Sequence, residues 1–341
     1  MLFELPSFDH VDVTDIEEAV FWLHKYGDKA RVVAGGTDLF GLIKDRIVGP
    51  GLKIPEVLVN IKTIPDMNRI TYNKETGLRI GAAVTLSRLE TSDVIKDMFS
   101  ILSQAARQVG ATQIRNMGTI GGNICQRPRC AYFRHPYFVC FKKGGTKCHA
   151  ITGEHQLYHS IIKSGKCVMA HPSDTAPALV ALKATAVIAG PDGVRKVLLH
   201  DLFVGPENIR ETILKPDEFL VAVEVPDQPA ETYQVFLKHR IRQSVDFSLS
   251  SVALVARISD DSCEDISIVL GGVAPFPYVA SMAAAVAKGR NLNERLISDT
   301  AEASVEGARP LPQNHYKVDL TKAIVKRTLM SIIENKKGRL L

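Results

Sequence analysis

From Cys130 to Cys167 the chain loses regular apolar periodicity, and this stretch holds four of its six cysteines, Cys130, Cys140, Cys148 and Cys167. Glycines (Gly144, Gly145, Gly153, Gly165) and prolines (Pro128, Pro136) punctuate it or flank it, so it reads as a long structured loop rather than a helix or strand. A segment with little apolar surface to bury needs another source of order, and thiolates converging on a metal supply one. Nine, seven and eighteen residues separate successive cysteines, with no C-x-x-C pair of the sort common in structural zinc sites. On spacing alone the group stays open between zinc, a 4Fe-4S cluster, which also takes four thiolates, and four unrelated thiols.

The same loop carries Arg127, Arg129, Arg134, Lys142, Lys143, Lys147, Lys163 and Lys166 against one acid, Glu154. Its formal +7 exceeds the +5 of the whole chain, so the remainder is slightly acidic. The expectation is a solvated face or a docking patch for an acidic electron-transfer partner, with positive charge also offsetting thiolates. His135, His149, His155 and His159 read as neighbours of a site that four cysteines already fill. Cys125 and Cys130 open a plant-type 2Fe-2S spacing that fails at Phe133, so Cys125 reads as a packing thiol. Cys263, in SDDSCEDIS, has no apparent partner.

As a whole the chain is ordinary for a soluble protein of about two domains, with 45% hydrophobic and 23% charged residues. It has no apolar run long enough to span a bilayer and no signal-like N-terminus, which places it in the cytoplasm unless a partner with its own signal exports it. The first 60 residues read as an α/β unit: a helix beginning at Thr14 or Asp15 with Ile16, Ala19, Val20 and Leu23 on one face, and a strand at 29–33. The turn Ala34-Gly35-Gly36-Thr37-Asp38-Leu39 follows. A second such turn, Thr119-Ile120-Gly121-Gly122-Asn123, follows a strand at 78–85 and helical stretches at 86–89 and 101–109. Two glycine-rich turns, each with a threonine, suit a ligand with two phosphates, because backbone amides can approach where no Cβ intervenes. Neither carries a P-loop lysine or a G-x-G-x-x-G fingerprint, which disfavours nucleotide hydrolysis and Rossmann binding.

On these residues the chain resembles the FAD-binding (medium) subunit of the molybdenum hydroxylases, the xanthine dehydrogenase and carbon monoxide dehydrogenase family. Ala34 to Leu39 is similar to that family's AGGTDL loop and Thr119 to Asn123 to its TIGGN loop. The likeness runs on through His171-Pro172-Ser173-Asp174, Asp217-Glu218-Phe219-Leu220 and Lys238. The resemblance implies an α+β fold: a two-part FAD-binding domain of the PCMH/VAO type over residues 1–228 and a smaller C-terminal α+β domain over 229–341. It implies FAD contacts from Val33, Ala34, Gly35, Gly36, Thr37, Asp38, Leu39, Thr119, Gly121, Gly122, Asn123, Asp174, Leu220 and Lys238. For Asp174, at the start of a helix expected from 176 to 182, the residues alone also allow plain N-capping.

The loop, about 126–168, is similar to an insertion of relatives of 4-hydroxybenzoyl-CoA reductase and of three-subunit bacterial aldehyde oxidoreductases, with CAYFR, CFKKGG and CVMAHPSD closer to the latter. By that resemblance Cys130, Cys140, Cys148 and Cys167 ligate a 4Fe-4S cluster. The implied role is electron transfer between a partner's 2Fe-2S clusters and an external carrier such as ferredoxin or a quinone-linked acceptor. Substrate conversion would sit on a large molybdenum-cofactor subunit beside a small 2Fe-2S subunit. No catalytic acid or base and no nucleic acid is expected. The rival expectations are a zinc-stapled nucleotide-binding module and a stand-alone flavin oxidoreductase. Beyond the loop, the pattern gives a strand at 184–189 before the turn 190–193, a strand at 220–225, a linker at 227–230, and strands at 233–237, 248–258 and 266–271. Helices follow near 279–287, 295–305 and 316–334.

Overall fold

The computed structural model describes residues 4–229, 231–259 and 262–336, positions 335 and 336 by their backbone alone; Ala230 of the expected linker lies outside the described residues. The first helix, Ile16–Tyr26, starts where the Asp15 carboxylate accepts the Glu18 N–H at 2.7 Å. It stops at Gly27, whose φ of +51° lets its N–H return to the Leu23 carbonyl. Ala19 and Leu23 are buried and Ile16 and Val20 half-buried, as the spacing required. This helix lies against a small parallel sheet, β1 (Asp9–Asp12), β2 (Ala30–Val33) and β3 (Val57–Asn60), in the order β1-β3-β2. The central strand β3 has both edges paired, so Val57, Leu58 and Val59 are fully buried. Its four residues are too short a run for periodicity to reveal.

A second, antiparallel sheet follows: β4 (Ile70–Asn73), β5 (Gly77–Gly81), β6 (Thr185–Gly190), β7 (Gly193–Leu198) and β8 (Phe219–Val225), ordered β4-β5-β8-β6-β7. The strand expected over 78–85 leaves the sheet after Gly81. Ala82 N–H reaches Val221 O at 2.8 Å, and the carbonyls of Ala82 and Val84 instead accept the amides of Gly121 and Ile120. The alternation is real, but its second half pairs with the second glycine turn. One apolar core runs through both sheets and the helices between them, and it extends into the third sheet at Phe236, Ala253 and Val269.

That third sheet, β9 (Thr232–His239), β10 (Ser250–Ser259), β11 (Ser262–Gly271) and β12 (Tyr278–Val279), is antiparallel in the order β12-β11-β10-β9. Helices Ser281–Ala287, Glu294–Ser304 and Tyr316–Lys336 accompany it, and Val252, Leu254, Ile268, Leu270, Val325 and Leu329 form a second core.

The cysteine segment is irregular apart from a short turn of 3-10 helix, Phe141–Lys143, and one helical turn, His149–Thr152. It has more apolar packing than the sequence promised. Phe133, Ala150 and Val168 bury with Leu42, Ile47 and Leu52, while Ile161 and Ile162 enter the C-terminal core. The loop is therefore wedged between the two halves of the chain.

Its charge is also arranged differently from the expected patch. Arg129 and Arg134 pair with Asp38, Arg127 and Lys142 pair with the buried Glu211, and Lys143 is fully buried on the His135 carbonyl. Only Lys147, Lys163 and Lys166 stand exposed. The reason is that a guanidinium or ammonium inside a loop can satisfy carbonyls and carboxylates that would otherwise be stranded.

Phe99 is fully buried between helices Asp93–Met98 and Ser100–Arg107 and meets Tyr72 edge-on at 6.0 Å. Phe99→Ala is expected to lower unfolding free energy by about 3–5 kcal/mol in chemical denaturation, the usual cost of an unfilled aromatic site.

Candidate cofactor cleft and cysteine chamber

The two glycine turns meet. Gly35 lies so close to the Met117 carbonyl that a Cβ there has no room, and Gly36 has a φ of +67°, which only glycine adopts freely. The amides of Gly35, Gly36 and Thr37 donate to no acceptor among the described residues. The first turn therefore presents a row of free N–H groups, the arrangement that receives a phosphate. The second turn does not. Ile120 and Gly121 donate to Val84 and Ala82, and the Gly122 N–H goes to Thr119 Oγ1 at 3.2 Å. Its part is to close the wall, with Gly122 exposed toward the space.

Two cavities share this wall. One, of about 280 Å³, is lined by Val33 through Leu39, Thr119, Gly121, Gly122 and Leu220 together with Leu42, Ile43, Phe219 and Arg127. The other, of about 230 Å³, is lined by Thr119, Gly122, Asn123 and Asp174 with Arg129, Pro172, Asp246 and Phe247. Thr37, Asp38, Thr119, Gly122 and Gln126 border both. An extended two-ended ligand with charge in its middle fits a pair of spaces joined at a row of amides.

Asp174 is 2% exposed, and its Oδ1 has no hydrogen-bond partner among the described residues. Burial pushes its carboxyl up, while Lys238 beside it holds it down. Its side chain does not cap the helix Thr175–Ala181; Ser173 Oγ accepts the Ala176 N–H at 3.0 Å instead. Asp174 thus brings a buried oxygen without a partner to the wall of the second cavity, and such a group calls for a donor. Lys238 stands behind it, bonded to Asp174 Oδ2 at 2.6 Å and to the carbonyls of Gln108 and Asp246. Asn123 Oδ1 accepts from Ser173 and Thr175 and so ties the second turn to the segment carrying Asp174. Gln126, Arg127, Arg129, Phe219 and Phe247 were not singled out from the sequence as lining residues. For the first three the available signal was position, immediately after the second turn.

The four loop cysteines line one small chamber with Tyr132, Phe133, Phe141, Lys142, His149 and Met169. All six cysteines are free thiols. Among the described residues no three His, Cys, Asp or Glu side chains come close enough to hold a single metal ion. The electrostatics separate the four from the other two. Burial pushes Cys130 up to about 11, but the amides of Phe133 and Tyr132 favour its thiolate. Cys140 is raised by burial against the amides of Lys142 and Lys143. Cys148 is pushed down to about 6 by the Cys167 thiol and by the amides of Val168, Ala150 and Ile151. The shared proton correspondingly raises Cys167, against the Met169 amide. Cys125 is driven to about 12 by burial alone, and Cys263 to about 11 by burial and Asp265. Backbone N–H groups thus favour the thiolate at the four chamber cysteines and at neither of the others.

Asp38 joins cleft and chamber. Its Oδ1 accepts from Arg134 at 2.6 Å and lies 2.7 Å from Arg129, and its Oδ2 accepts the Arg127 N–H at 2.8 Å.

Comparison with known proteins shows the family. Residues 6–228 match the profile of the FAD binding domain in molybdopterin dehydrogenase, and residues 235–332 that of the CO dehydrogenase flavoprotein C-terminal domain. The chain is 31% identical over 309 residues to the aldehyde oxidoreductase FAD-binding subunit PaoB of Escherichia coli, covering 89% of this chain and 90% of that one. It is 25% identical to the glyceraldehyde dehydrogenase medium chain of Sulfolobus acidocaldarius, covering 96% and 99%. Among solved structures, carbon monoxide dehydrogenase from Hydrogenophaga pseudoflava superposes with a TM-score of 0.77 at 25% identity, covering 96% of this chain and 98% of that one.

Two substitutions test the cleft. At Gly122 a Cβ meets only Thr119 Oγ1, at 3.3 Å, so Gly122→Val is expected to fold and to retain at least about tenfold less FAD by absorbance, because the side chain enters the ligand space. Gly36→Val lacks this clean separation, since strain at positive φ and a collision with Phe40 also act on the fold. Asp38→Asn is expected to lose about 2 kcal/mol of stability in urea titration, since it leaves two half-buried guanidinium groups without their anion.

Proposed function

The chain belongs to the family of FAD-binding subunits of the molybdenum hydroxylases, and from that premise we propose that it relays electrons between a partner's 2Fe-2S clusters and an external carrier, through FAD and a 4Fe-4S cluster of its own. The observation that carries the cluster is the set of amides directed at the four chamber thiols and absent from Cys125 and Cys263. Thiolates already favoured by backbone dipoles suit a thiolate-ligated iron–sulfur group. Four thiols that line one chamber suit a cluster that takes four thiolates.

In this reading the free amides of Gly35, Gly36 and Thr37 hold the FAD diphosphate, and Asp174, set by Lys238, accepts a hydroxyl of the nucleotide. Val33 to Leu39, Thr119, Gly121, Gly122, Asn123 and Leu220 form the walls. When bound, the flavin and the cluster supply the one- and two-electron chemistry, and the protein supplies position, exclusion of water and electrostatics. Cys130, Cys140, Cys148 and Cys167 serve as the cluster's ligands, and Lys142 and Lys143 place positive charge beside Cys167 and Cys140. No side chain of this subunit acts as acid or base on the substrate, which is converted on the large molybdenum-cofactor subunit. We place the division between the FAD-binding and C-terminal domains at 228/229. We place the complex in the cytoplasm, unless a partner carries an export signal; no helix among the described residues is long and apolar enough to cross a membrane.

The test is composition. The purified protein is expected to carry about one FAD with about four iron and four acid-labile sulfide per chain. Cys148→Ser should remove the iron, and Cys125→Ser should keep it. Stoichiometric zinc without labile sulfide would defeat the cluster, and equal iron loss in both variants would defeat this ligand set.

A further inference from the structure

His159 lies in the cysteine loop, 5% exposed, with Nε2 3.3 Å from Cys130 Sγ and Nδ1 without a partner among the described residues. The neutral ring carries one proton, and two placements compete. A proton on Nδ1 leaves a buried N–H unmade and turns a lone pair toward the sulfur. A proton on Nε2 gives the sulfur a donor and leaves only an acceptor unpaired, the cheaper omission once Cys130 is a thiolate.

The residue is held from the far end of the chain. Lys317, fully buried at the start of the last helix, donates to the carbonyls of His159 at 2.8 Å, Leu157 at 3.1 Å and Gly272 at 2.6 Å. Around it Asn314 Nδ2 donates to Ser160 O, the Tyr316 hydroxyl to Gln156 O and the Arg309 N–H to Ile161 O. His155 and Gln313 exchange two bonds at 3.1 Å. Residues 309–317 therefore clamp residues 155–161, and His159 is where that clamp touches a chamber cysteine.

We propose that His159 is a positioning residue that donates its Nε2–H to the Cys130 sulfur and raises the reduction potential of the group held there, with Lys317 fixing its backbone from the C-terminal half. The inference rests on the chamber carrying an iron–sulfur cluster. A hydrogen bond to a ligating sulfur withdraws electron density and stabilises the reduced form, so removing it moves the potential negative.

The test uses the holoprotein with His159→Leu, which removes the donor, and His159→Gln, whose amide supplies one. Iron and labile sulfide are measured first, and the cluster's midpoint is then followed by electron paramagnetic resonance in a redox titration. The expected result is a full cluster in each, a more negative midpoint in His159→Leu, and an intermediate one in His159→Gln. Cluster loss in His159→Leu that His159→Gln restores supports the same role. A full cluster with an unchanged midpoint in His159→Leu overturns it, as does cluster loss in both variants with the fold intact by circular dichroism. Wild-type protein without iron and sulfide overturns the cluster reading itself, a result visible before any variant is compared.

Discussion

The carboxylate of Asp38 is the contact on which the rest of the site depends. It ends the first glycine turn, and its two oxygens engage Arg134, Arg129 and the Arg127 amide at the root of the cysteine loop. Arg134 passes the connection on to the carbonyls of Pro128 and Arg127, and the Arg127 guanidinium reaches the Lys142 carbonyl and Glu211. One acid therefore sets the distance between the amide row and the thiol chamber. In a low-dielectric setting the loss of one member of such a network is costly, which couples the two sites.

This also accounts for the basic residues of the loop. A sequence shows charge without direction, and eight cations with one acid look like a surface. Folded, five of them are internal: four meet Asp38 or Glu211, acids from distant segments, and Lys143 is buried on the His135 carbonyl. Any electrostatic steering by the loop falls to Lys147, Lys163 and Lys166, and Lys166 is itself paired with Glu207.

The loop also makes the two halves of the chain interdependent. Ile161 and Ile162 add to the C-terminal core, Lys317 returns to the loop's carbonyls, and Lys238 sets the acid that faces the second cavity. A change in the last helix thus reaches the chamber through Lys317 and His159, and a change in β9 reaches the cleft through Lys238 and Asp174.

What the sequence determined by itself was whatever is encoded locally. The capped helix at Ile16 follows from periodicity, because its buried face repeats every 3.6 residues or so, whereas β6 and β8, buried on nearly every residue, were legible as short apolar runs that stop at turn residues. The glycine turns were legible because positive φ and close approach are written in residue type, and the thiols because cysteine is rare and chemically distinct. The tertiary structure alone decided which turn has free amides, since the donors of Ile120 and Gly121 are taken by Ala82 and Val84 from another strand's end. It alone showed that Asp174 keeps a bare oxygen, that Lys238 works from behind it, and that four thiols but not Cys125 or Cys263 face backbone dipoles. Those properties depend on groups far apart along the chain, and no local pattern in residue order records who meets whom.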